Sequence, residues 1–424
     1  MTSKHTYNIN RKAFYSQFNQ FFADFADLEY ALYDVMMMKK EKIDEIQYAT
    51  NILWKVFSKV GKQFKKLKKE QLLALGIREE MIPYLHLDYL PQQSILARFD
   101  FICTEIGDIK LIELNGDTPF LIQETFEMNR ALCNQFNFCN PNEESVIIKS
   151  LSSALFSAMT YLKLKETPVV VITGKEETED LEEYCQVQYL KRILPFEIKY
   201  VPISQLIIYP TDNEHIKRGL YTPSMEKIHI LFRPAHPIEF LIDDVAEDGD
   251  QIGLHLLDLV KDQQLAIINS PAAYILQSKI LLWLIWEKRN NPLLFTKEER
   301  ETINKYMLPT YMSADSFLQS EQPFVKKPVF SREGNTIEIY NSEGEKINTS
   351  QHQHYTDNLY IYQQYVEMPS ITIQLKDSQH EKKWLIGSFI ADDQACGIAC
   401  RVGNQITEWD SHWLAIGSPV SDAN

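Results

Sequence analysis

The sequence predicts a mixed α/β (α+β) fold in three parts: a helical N-terminal segment over 1–95, an α/β region over 96–270 and a second β-rich region over 271–424. Three observations support this. Apolar residues recur at helical spacing in the first segment. From about residue 96, short β-rich runs alternate with helical patterns. After Pro271 a single apolar helix precedes another series of strands.

In the first segment, FFADFADLEYALYDVMMM and ATNILWKVFSKVGKQF predict helices, with Met36, Met37 and Met38 in a helix core. The basic run Lys65, Lys66, Lys68 and Lys69 reads as a solvated helix face. The middle region offers strands in LARFDFIC, IKLIELN, PVVVITG, EIKYVPI and KIHILFR, and helices over 121–134, 143–164, 178–193 and 249–261. In the third region a helix over about 275–289 is followed by strands in PFVKKPVF, TIEIYN, LYIYQQYV, KWLIGSFIA and ACGIACRV. No internal repeat, low-complexity tract or long linker separates the parts.

The 424 residues, 45% of them hydrophobic, are enough for two or three domains. A net charge of −15 argues against broad nucleic-acid binding, since a phosphate-tracking surface needs positive charge. The six cysteines form no CxxC pair, so reduced thiols are expected. With no apolar signal core in MTSKHTYNINRKAF and no run of 18 apolar residues, a soluble cytoplasmic protein without a membrane partner is expected.

Two runs carry the chemistry: Arg98-Phe-Asp100 and Glu113-Leu-Asn115-Gly-Asp117-Thr118-Pro119. Strand alternation puts Arg98 and Asp100 on one face, and Glu113 and Asn115 on one face of the other strand. If the strands pair, a guanidinium and three oxygen donors converge. Two carboxylates and an amide oxygen suit Mg²⁺, and the guanidinium suits a phosphate. That set points to nucleotide-dependent chemistry; a purely structural Arg98–Asp100 pair is the plainer alternative.

Further along, Lys326-Lys327-Pro-Val-Phe-Ser331-Arg332-Glu333-Gly334-Asn335 ends a strand in cations and adds a glycine-containing turn. Such a loop can close over a triphosphate, or be a charged hairpin. Lys279 by itself reads as a solvent-facing helix lysine. Gln363, Gln364, Tyr365 and Val366 lie where a strand leads into a connection, so they either offer edge groups to an adenine or form core. Arg401 either binds a carboxylate or phosphate or caps a hairpin. His352 and His354 lack a third metal ligand nearby, and Cys396 and Cys400 read as core thiols.

Taken in order, these elements resemble the glutathionylspermidine synthase family, whose synthetase domain is an ATP-grasp ligase. The resemblance covers about 95–415 and rests on Arg-x-Asp, Glu-x-Asn-x-Asp-Thr-Pro, Gln-Ser-Lys, Lys-Pro…Arg-x-Gly, Tyr-x-Gln-Gln and Gly-Ile-x-x-Arg. It implies a pre-ATP-grasp domain over 96–270, an ATP-grasp nucleotide-binding region over 271–424, and no amidase domain. It implies ATP and Mg²⁺ as cofactors, and an amide bond formed between a small-molecule acid and an amine through an acyl-phosphate. By the same resemblance Arg98 stabilises the transferring phosphoryl group, and Asp100, Glu113 and Asn115 hold Mg²⁺. Lys279 and Lys327 contact ATP phosphates, Arg332 and Gly334 close over them, and Gln363 to Val366 meet the adenine. Thr118 and Arg401 match acid-substrate positions, FRPAHPIEF matches a Pro-x-Glu segment, and KEETED (175–180) corresponds to an acidic stretch near the amine site. Phe120 departs from the pattern, standing where a second small hydroxyl is expected, which bears on glutathione as the acid. An inactive nucleotide-binding scaffold and an ATP-dependent phosphotransferase are the alternatives.

Overall fold

A computed structural model describes residues 2–25, 28–356, 359–376 and 378–420. It is a mixed α/β architecture. Its frame is an eight-stranded sheet in the order Ala31–Met37, His412–Pro419, Gln394–Gly403, Ser378–Ala391, Leu96–Cys103, Ile109–Asn115, with Ser370–Leu375 added to Ser378–Ala391 and Phe138–Cys139 to His412–Pro419. Strands from all three sequence regions therefore share one sheet. The helix Lys40–Phe64 covers it, because Ile43, Ile46, Leu53, Trp54, Phe57, Val60 and Phe64 fall on one stripe. Phe57 meets Phe99 of the sheet edge-to-face at 5.4 Å. Burying each such side chain contributes about 1.5–3 kcal/mol.

Residues 31–37 are a strand, not the expected helix. Ala31, Leu32 and Val35 are buried, and the strand pairs in parallel with His412–Pro419. Over seven residues a helical and an extended apolar pattern are hard to tell apart, and the distant partner decides. Met36 and Met37 thus end this strand instead of filling a helix core; Met37 is exposed, and Met38 follows the strand and is buried. Lys65 is another correction: it is buried and paired to Asp88 at 2.6 Å, while Lys66, Lys68 and Lys69 are exposed.

A second, parallel sheet runs Ala266–Ile268, Ile230–Phe232, Val170–Ile172, Lys199–Tyr200. The chain starts at Val170–Ile172, goes to one neighbour and returns to the other, so the crevice at the carboxyl ends of Val170–Ile172 and Ile230–Phe232 is a switch point where ligands bind in such sheets. A third, antiparallel sheet runs Thr310–Tyr311, Tyr360–Gln364, Phe324–Pro328, Glu338–Tyr340, Lys346–Thr349.

The apolar helix expected over about 275–289 is broken. It forms Tyr274–Gln277 and Ile280–Lys288, with Ser278 extended at ψ 122°. No proline or glycine causes the break. The Lys279 N–H donates to Val329 O at 2.8 Å, a tertiary bond that turns Lys279 inward. All six cysteines are free thiols. No helix among the described residues is long and apolar enough to cross a membrane.

Candidate active site

The strands Leu96–Cys103 and Ile109–Asn115 pair antiparallel, with Arg98 opposite Asn115 and Asp100 opposite Glu113. The four side chains the alternation grouped are thus neighbours. Arg98 Nε donates to Asp100 Oδ1 at 2.7 Å and Nη2 to Oδ2 at 3.0 Å, while Nη1 donates to the Phe120 carbonyl at 2.8 Å. Asn115 Nδ2 donates to Asp100 Oδ2 at 3.2 Å. Burial pushes the Asp100 carboxyl up, and Arg98 opposes it. Burial would raise Glu113 too, but the cations of Lys279 and Lys327 outweigh it and hold Glu113 well below the usual carboxylate range.

Two glycines make room. A Cβ on Gly116 would lie 2.6–2.7 Å from Leu276, so only glycine lets the end of Ile109–Asn115 abut the broken helix. Gly387 lies opposite Asp100, and a Cβ there would sit 2.6 Å from Arg98 Cδ. Arg98 can lie flat only because that methyl is missing. Gly387→Ala is expected to keep the fold, displace Arg98 and lower turnover about tenfold, about 1.4 kcal/mol, as read in kcat with an unchanged circular-dichroism spectrum.

Both lysines point inward. Lys279 Nζ donates to Ser331 O at 2.7 Å and stands 3.5 Å from Glu113 Oε2. Lys327 Nζ donates to Gln363 Oε1 at 2.7 Å and Ile112 O at 3.1 Å. The solvent-facing reading of Lys279 is therefore wrong: the helix break buries it. Burial, only partly offset by Glu113, lowers the Lys327 ammonium to about 8.

These groups line one cavity, with Ser331, Gly334, Gln363, Gln364, Tyr365 and Val366 along its rim. Its walls are apolar on both sides: Ile102, Met368 and Leu385 on one, Ile337, Ile339 and Ile406 on the other. That slot suits a flat ring, and sequence reading missed it because isolated Ile and Leu look like any core. Gln363 Nε2 is buried there without a partner among the described residues. The N–H groups of Gln364 and Tyr365 are already given to Pro309 O and Pro323 O.

A second cavity of about 510 Å³ adjoins the first, and Glu113 and Arg401 line both. It also takes in Arg98, Asn115, Thr118, Phe120 and Arg332. Arg332 Nη2 donates to Thr118 Oγ1 at 2.9 Å, and Nη1 reaches Glu239 Oε1 at 3.3 Å. Arg401 Nη2 donates to Glu408 O and Ser411 Oγ, both at 3.1 Å. The opposite wall is acidic, from Glu177, Glu179, Asp180 and Glu182, at the mouth of the parallel-sheet crevice. Phe22, Phe25, Tyr30 and Trp409 complete it, so the N-terminal segment, given no role in the sequence reading, helps to enclose the site.

Next to Thr118 in the chain begins a pair the motifs contained but did not assign. Arg233 Nη1 and Nη2 donate to the two Asp117 oxygens at 2.8 and 2.9 Å, fully buried, and Asp117 also accepts from the Ile238 N–H. No spacing rule links residues so far apart. His354 is committed to Asn335 Nδ2 at 3.0 Å. Among the described residues no cluster of three or more His, Cys, Asp or Glu could hold a metal. Asp100, Glu113 and Asn115 are two carboxylates and an amide, hard oxygens of the kind that suit Mg²⁺; Glu113 is kept ionised, while both Asp100 oxygens already accept from Arg98.

The family model described as glutathionylspermidine synthase preATP-grasp matches residues 8–416. A curated relative, a putative acid–amine ligase of Haemophilus influenzae, is 22% identical over 359 residues, covering 83% of this chain and 78% of that protein. A solved structure, the apoform of a glutathione synthetase-like effector from Globodera pallida, superposes with a TM-score of 0.60 at 12% identity, over 97% of this chain and 96% of that one. The shared architecture supports the ATP-grasp-like fold. From residue 8 to residue 416, this chain belongs to the glutathionylspermidine synthase preATP-grasp family.

Proposed function

We propose that this protein is an ATP- and Mg²⁺-dependent ligase that joins a carboxylate to an amine through an acyl-phosphate. The observation that carries the reading is the meeting of two cavities at Glu113 and Arg401, one cationic with an apolar slot, the other arginine-rich on one wall and acidic on the other. The family and the putative acid–amine ligase relative support it.

Carboxylate is a poor electrophile, so it needs activation before an amine attacks. Lys279 and Lys327 lie where they can offset triphosphate charge, and the apolar walls above Gln363–Val366 can take the adenine ring. Asp100, Glu113 and Asn115 would hold Mg²⁺, which supplies charge neutralisation on the phosphates. Arg98, fixed by Asp100 and the Phe120 carbonyl, faces the second cavity, where the acid oxygen meets the phosphoryl group. Thr118, Arg332 and Arg401 would orient the acid, and the 177–182 wall would attract the amine. Phe120 narrows the acid side, so peptide-like acids other than glutathione belong in the substrate panel. Arg332 and Gly334 would exclude water from the acyl-phosphate, which hydrolyses readily.

The test is ADP release across a panel of acids and amines. The reading requires release that depends on both partners together; turnover indifferent to the acceptor sinks ligation.

Nucleotide binding should also move protons. Lys327 titrates at about 8 in the free protein, and a bound triphosphate raises it. Binding therefore takes up protons above neutrality, and affinity falls as pH rises through about 8. Calorimetry at about pH 9 in buffers of different ionisation enthalpy should show uptake approaching one proton per ATP, lost in Lys327→Met.

A further inference from the structure

An alkylammonium must shed a proton before it can attack, so an amine site gains from a carboxylate poised to accept one. Two of the four carboxylates of the acidic wall are committed elsewhere. Glu179 Oε2 accepts from the Glu176 N–H at 3.2 Å. Asp180 caps the helix Leu181–Ile193 through the Glu183 N–H and pairs with Lys175, both at 3.1 Å. Glu177 stands in solvent. Glu182, half-buried in the first turn of that helix, lines the cavity and has no hydrogen-bond or ion-pair partner among the described residues.

What lies behind Glu182 is unusual. The Tyr30 hydroxyl donates to Glu124 Oε1 at 2.7 Å, both buried. Glu124 opens a π-helical turn, Glu124–Met128, and Leu121 just before it has φ 74° and lines the same cavity. Such departures from regular backbone gather at working sites. The titratable and charged groups facing Glu182 are Tyr30, Glu124, Asp180, Cys185, Glu333 and Arg401. Burial first, and the Glu124 charge second, push its carboxyl up to about 8. A base near neutrality is the efficient one at working pH.

We propose that Glu182 is the general base that deprotonates the attacking amine, with Tyr30 and Glu124 as positioning residues. This rests on the ligase reading above. The ammonium passes one proton to the Glu182 carboxylate. The freed nitrogen lone pair forms the C–N bond at the acyl carbon. The C–O bond to phosphate breaks with its electron pair going to phosphate, which also takes the surplus proton from the tetrahedral nitrogen. Glu182 then returns its proton to solvent.

The experiment compares two acceptors with ATP and a panel of small peptide acids that includes glutathione. One acceptor is an alkylamine from a set of polyamines and amino acids. The other is hydroxylamine, which is largely unprotonated at neutral pH and needs no base. Glu182→Gln is expected to lower the alkylamine rate by about 10²–10⁴-fold and hydroxamate formation far less. Glu182→Asp should keep part of the alkylamine rate. Equal loss with both acceptors, or no loss with the alkylamine, overturns the proposal. A wild-type enzyme that makes neither amide nor hydroxamate from any acid overturns the ligase reading as well.

Discussion

Glu113→Ala is expected to cut Mg²⁺-dependent ADP release by about 10²–10³-fold, the loss typical of removing one preorganised transition-state contact. Two effects add. Glu113 faces Asp100 across the strand pair and is one of the two carboxylates proposed to hold the metal. It is also the anion between Lys279, 3.5 Å away, and Lys327. Without it, burial of Lys327 loses its main opposing charge, so that ammonium falls further below about 8 and more of it is neutral at working pH. The variant should therefore need more Mg²⁺ and bind ATP more weakly, read from Mg²⁺ titrations of ADP release. Glu105→Ala, at an exposed glutamate in the turn between the two strands, should change neither.

Arg233→Ala should cost about 3–5 kcal/mol of stability, because it strands the Asp117 carboxylate in the interior. The pair is fully buried and doubly hydrogen-bonded, and Asp117 also anchors the Ile238 N–H. Asp117→Ala should cost a similar amount. The double variant should lose less than the sum, since neither uncompensated charge remains. Urea midpoints of the four proteins check this. Additive losses would mean that the two side chains act independently. Because Asp117 precedes Thr118 and Ile238 precedes Glu239, activity should fall along with stability.

Much of the site is legible from short-range pattern. Arg98, Asp100, Glu113 and Asn115 lie two apart within their strands, and period two alone puts each couple on a face. Their antiparallel partner is only a short turn away, so the pairing is local. Where the partner is distant the pattern weakens. Ala31–Met37 is extended because it pairs with His412–Pro419, and nothing within seven residues announces that. The break at Ser278 follows from the bond between the Lys279 N–H and Val329 O, so the inward turn of Lys279 is a tertiary fact. Asp117–Arg233, Glu182 and the Ile102–Leu385 wall are single residues brought together by folding, and no spacing encodes them.

The most direct measurement is a crystal structure of the protein soaked with ATP and Mn²⁺, using the manganese anomalous signal. The expected result is a metal peak bonded to Asp100, Glu113 and Asn115, with the triphosphate against Lys279 and Lys327 and the base between Ile102 and Ile337. A metal beyond reach of those three side chains, or a nucleotide seated outside that cavity, would contradict the proposed site.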